Sequence, residues 1–63
     1  MNMSEKALIW HNLAQKARLA AQDLRDDALR QEMLMIAARY EAIARRAEAM
    51  AEDRQRQEQQ VTA

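Results

Sequence analysis

The chain has 63 residues, with no glycine, proline or cysteine, and its ten basic and ten acidic side chains leave a formal net charge of zero. A chain this short is one domain at most and sits near the size at which a single core becomes marginal. Disulfides are excluded, and a structural zinc site is nearly so, because His11 is the only histidine. Oligomerisation or a larger partner remains as the way to gain stability.

The balanced charge argues against nucleic acid as a partner, since that binding needs a basic excess to release counterions. It also argues against a helix drawn to anionic membranes. The apolar run Ala7-Leu8-Ile9-Trp10 is too short for a membrane span or the core of a signal peptide. We therefore expect a cytoplasmic protein with no membrane contact. The apolar fraction of 49% is rich in alanine. Alanine lets helices approach closely but buries little area.

In chain order, Ser4 followed by Glu5 reads as a helix start, with Ser4 as N-cap and Glu5 at the positive end of the dipole. The capping box is incomplete, because the third residue after Ser4 is Ala7. The apolar stripe that follows places Met3, Trp10, Ala17 and Leu24 at one heptad position and Leu13 and Ala20 at the other. Ala7, Ala14 and Ala21 widen it. A second stripe places Leu29, Ile36, Ile43 and Met50 at one position and Met33, Tyr40 and Ala47 at the other. Ala37, Ala44 and Ala51 lie beside this seam.

The two stripes are out of phase. Leu24 and Met33 are nine residues apart and would point to opposite sides of one continuous helix. A break at Arg25-Asp26-Asp27 resolves this, with Asp26 as the second N-cap and Asp27 at the first helical position. The prediction is an all-α, two-helix antiparallel hairpin with helices over about 4–24 and 27–57 and a disordered tail over 58–63. Residue numbers adding to about 53 then face each other. Leu13 meets Tyr40, Ala17 meets Ile36, and small residues of the first helix face large ones of the second.

The stretch Asp26 to Glu48 resembles a pattern in short uncharacterised helical-hairpin proteins of alphaproteobacteria, D-P-E-A-R-x-x-M-L-x-I-A-x-x-Y-x-x-L-A-x-R-A-E. Asp26, Arg30, Met33, Leu34, Ile36 and Ala37 stand in matching places, as do Tyr40, Ala44, Arg46, Ala47 and Glu48. The sequence departs at Asp27, where that pattern often has proline, and at Ile43, where it has leucine. The resemblance implies a helical hairpin and no chemistry.

No residue pattern points to catalysis, a cofactor or a metal. His11 lies off the stripe and has no second ligand at helical spacing, so it reads as a solvated surface histidine rather than a pH sensor or metal ligand. Trp10 and Tyr40 read as packing anchors rather than a ligand pocket. The five methionines are too dispersed for a plastic groove. Arg39, Arg45 and Arg46 form a small basic cluster, in which Glu41 is placed to pair with Arg45 one turn on.

Apolar residues also lie off the seam: Leu8 and Leu19 on the first helix, and Leu34, Met35, Ala38 and Ala42 on the second. One hairpin cannot cover these, so they are the candidate second contact surface. The expectation is a non-enzymatic interaction or regulatory module that self-associates, as a dimeric four-helix bundle. The alternatives are a helical segment stable only on a larger protein partner, or a small nucleic-acid-associated protein.

Overall fold

The computed structural model describes residues 3–61. It contains two α-helices, α1 (Glu5–Asp23) and α2 (Asp27–Val61), packed against each other, with no strand among the described residues. At 1.5 Å rise per residue α1 is about 28 Å long and α2 about 52 Å. The shape is accordingly elongated, 57 × 15 × 12 Å.

The caps explain where the helices begin. Ser4 adopts an extended conformation, and its Oγ accepts from the Ala7 N–H at 3.1 Å. The reciprocal half of a capping box is missing locally, because Ala7 stands where a glutamate or glutamine would accept from the N-cap N–H. Glu48 of α2 supplies it instead. The Ser4 N–H donates to Glu48 Oε2 at 2.8 Å. Asp26 caps α2, its Oδ1 accepting from the Leu29 N–H at 3.1 Å, and Asp27 pairs with Arg30 in the first turn.

The turn needs no glycine. Leu24 ends α1 in an extended conformation, with its N–H donating to the Ala21 carbonyl at 3.2 Å. No described residue has a positive φ. A chain without glycine can therefore make this hairpin without strain.

The register lies within one residue of the expected one. Ser4 faces Glu48 and His11 faces Glu41, so facing residue numbers add to 52. The inward face differs from the expectation. The buried residues are all alanines: Ala7, Ala14, Ala17 and Ala21 on α1, and Ala37 and Ala44 on α2. No large side chain is fully buried. Each helix is turned by about 60° from the expected seam, roughly half a residue step. The alanines expected to flank the seam are its centre.

One helix boundary differs from the expectation by more than a residue. Both helix starts fall close to the expected positions. The second helix continues through 58–61, where a tail was expected. The remainder of that expected tail, 62–63, lies outside the described residues. The acidic and basic residues of the arm beyond Ala51 sustain the helix without an apolar face, helped by the Asp53–Arg56 pair one turn apart at 2.8 Å.

Because Ala14 is wholly buried between the backbones, Ala14→Leu should push the helices apart and destabilise the fold by about 1–3 kcal/mol. Gln57→Leu on the exposed arm should change the melting temperature little. Thermal melts followed by circular dichroism check both; equal melting temperatures would remove the alanine seam from the account.

Candidate functional site

The alanine seam divides the hairpin into two unlike edges. On one edge, Ser4, His11 and Arg18 of α1 face Leu34, Glu41 and Glu48 of α2. On the other, Trp10, Ala17 and Leu24 face Met33, Tyr40 and Ala47. In an antiparallel pair each flank of one helix meets the same-handed flank of the other, so apart from Leu34 polar meets polar and apolar meets apolar.

Glu41 is the hub of the polar edge. Its Oε1 accepts from His11 Nδ1 at 2.8 Å, and its Oε2 pairs with Arg18 Nη2 at 3.3 Å. The amide nitrogen of Gln15 lies 3.5 Å from the other ring nitrogen of His11. A ring protonated at Nδ1 satisfies both contacts, donating to Glu41 and accepting from Gln15. The hydrogen bond from His11, opposed by desolvation and helped by Arg18, holds the Glu41 carboxyl below its usual range. Two expectations are corrected here. His11 is half-buried in a cross-helix pair, not solvated. Glu41 reaches across to α1 rather than along α2 to Arg45. Partners 30 residues apart leave no trace in helical spacing.

The apolar edge carries the bulky residues. Trp10 and Tyr40 pack with ring centroids 5.7 Å apart and planes tilted by 45°, a favourable arrangement for two rings. Of the residues expected in the hairpin core, Ala17 is buried. Trp10, Leu24, Met33, Tyr40, Ile43 and Ala47 are half-buried. Leu13, Ala20, Leu29 and Ile36 are not core at all. Leu13 is 36% exposed, Ile36 37% and Leu29 51%, and Ala20 is exposed too. The cause is the rotation about each helix, which carries the outer heptad line of both stripes to the surface.

These displaced residues share one side of the molecule. Leu13 and Ala20 lie one step outward from Trp10 and Ala17, while Leu29, Ile36 and Met50 lie one step outward from Met33, Tyr40 and Ala47. Both helices thus contribute to a single apolar face that ends at Met50. A shallow groove beside Ile36 is lined by Glu32, Met35 and Arg39.

The residues expected to form the second surface are arranged otherwise. Leu8, Leu19, Leu34, Met35 and Ala38 are exposed and Ala42 is half-buried. They spread over the polar edge and the backs of both helices, interleaved with His11, Arg18, Glu41 and Arg45. The larger continuous apolar face is the one formed by the supposed core.

Among the described residues, no group of three or more histidine, cysteine or carboxylate side chains is placed to hold a metal ion. No helix is long and apolar enough to cross a membrane. No known protein family, curated protein or solved structure matches the chain.

The pH behaviour of the polar edge follows from the direction of the Glu41 shift. A carboxyl depressed in the folded state contributes stability that is present above its unfolded value and is lost as pH falls through the folded one. The melting temperature should therefore drop on acidification from about pH 5 towards pH 3, and Glu41→Gln should reduce that drop. Parallel acid titrations of the two melts would remove Glu41 as a pin between the helices.

Proposed function

We propose that the hairpin is a non-enzymatic interaction module that self-associates into a four-helix bundle through the face of Leu13, Leu29, Ile36 and Ile43. One observation carries this reading. The alanines occupy the inside of the hairpin, and Leu13 of the first helix stands on the same outer side as Leu29, Ile36, Ile43 and Met50 of the second, while Leu8, Leu19, Leu34 and Met35 are exposed on other faces.

The exposed area supports it. A folded monomer of 7.3 kDa exposes about 4,200 Å² by the usual size scaling, and this chain exposes 5500 Å². The excess of about 1,300 Å² is larger than the roughly 800 Å² that one partner gives to an interface of standard size. Part of it belongs to the arm of α2 beyond Met50, which has no α1 beside it. The elongated shape and the exposed apolar face contribute to the remainder. A second copy offers the same face and would bury both at once.

Self-association makes stability depend on concentration. The melting temperature should rise with protein concentration, and sedimentation should give twice the chain mass. Leu13→Glu or Ile36→Glu should weaken the association at least tenfold, about 1.4 kcal/mol. Leu19→Glu, on the back of α1, should leave it unchanged. A concentration-independent melt at monomer mass would sink self-association and point to a different protein on this face.

A further inference from the structure

We propose that the two copies stack with their turns at opposite ends, about a two-fold axis that crosses the helices at the level of Leu13 and Tyr40. This rests on the self-association proposed above and adds its geometry. The outer apolar line of α2 is Leu29, Ile36, Ile43 and Met50. It begins three residues after the Asp26 cap and ends where the charged arm begins, so its midpoint lies beside Tyr40. Laying this line against its reversed copy covers it from end to end. Leu29 then meets Met50 of the partner subunit, and Ile36 meets Ile43 of the partner subunit.

The first helix fits the same axis. Within the hairpin, facing residue numbers add to 52, so the level of Tyr40 on α2 is that of residues 12–13 on α1. An axis at that level brings Leu13 against Leu13 of the partner subunit. It also sets Trp10 over Ala17 of the partner subunit, large over small. The spacing of α2 gives this axis, and the residues of α1 fit it to within about one residue.

Charge distinguishes this orientation from its rival. Glu32, Arg39 and Arg46 run along the outer flank of the α2 line. All are exposed, and none is in an ion pair among the described residues. About the axis, Glu32 faces Arg46 of the partner subunit, and symmetry makes this pair twice. Arg39 meets its own copy, a single like-charge approach. With the turns at the same end, α1 would instead lie beside α2 of the partner subunit at the hairpin's own level. Lys16 would then fall between Glu32 of the partner subunit and Arg39 of the partner subunit, and Asp23 nearest Glu32 of the partner subunit. The approach of Asp23 to Glu32 of the partner subunit sets like charges together at two places, and the pairs of Glu32 with Arg46 of the partner subunit are lost, which disfavours that docking.

The absence of cysteine makes the test direct. Leu29→Cys and Met50→Cys are made separately, each at an exposed position of the hairpin. The variants are oxidised alone and mixed, with disulfide dimer read on non-reducing gels and mass read by sedimentation. The mixture should crosslink about tenfold faster than either variant alone, because only it brings two thiols within reach. Equally fast crosslinking of either variant alone, or a slow mixture that sediments as dimer, overturns the orientation and leaves self-association standing. Monomer mass for the unaltered chain overturns both. As an independent reading, Glu32→Arg should raise the dimer Kd about tenfold by breaking both pairs, and adding Arg46→Glu should restore it. Failure of the double variant to recover affinity counts against the pairing.

Discussion

The rest of the structure depends on the close approach of two backbones across alanine. Ala7, Ala14 and Ala21 face Ala37 and Ala44, and a methyl group is the most that fits between helices at such a distance. Leucine, isoleucine and tryptophan cannot enter this seam, so they are displaced to its side. The displacement is the same on both helices, because each carries its large residues on the same hand of its alanine line. A hairpin with an edge of bulky residues beside its seam is the consequence, and burying a methyl group is worth only roughly 0.8 kcal/mol. The inner seam is therefore a means of alignment more than a store of stability.

Two glutamates of α2 keep that seam in register. Glu48 completes the cap of α1 by accepting from the Ser4 N–H, and Glu41 holds His11 and Arg18. They are seven residues apart and grip partners seven residues apart, Ser4 and His11. A slip by one residue would leave the N–H of the N-cap Ser4 without its acceptor and separate His11 from Glu41. Neither glutamate is deeply buried, so neither faces the desolvation penalty of a buried ion pair. The polar edge thus specifies the alignment that featureless alanines leave open.

The one-sidedness bears on function. The groove beside Ile36 and the groove between Ser4 and Met50 are both shallow. What the fold presents is a long apolar face with a charged flank, continued by a polar helical arm. Such a face is suited to pairing with another helix pair, since helices bury stripes and not points. In the proposed dimer, Glu32 and Arg46 on the flank would discriminate between ways of pairing, whereas the apolar line alone would tolerate several.

Helix content, the break after Leu24, the Ser4 and Asp26 caps and the antiparallel register within one residue were all legible in the amino-acid sequence. They are local or follow from periodicity: propensity, capping chemistry and a phase jump act over a few residues. Only the tertiary structure decided which apolar line faces inward. Alanine and leucine count alike as apolar in a pattern, and adjacent heptad lines differ by about 50°. Choosing between them depends on how closely two backbones approach, and that exists only once both helices are present. The same holds for His11 with Glu41 and for Glu48 with Ser4, pairs 30 and 44 residues apart. They form because the alanine seam rotates both polar flanks into reach, and that rotation moved Leu13, Leu29 and Ile36 from the expected core to the surface.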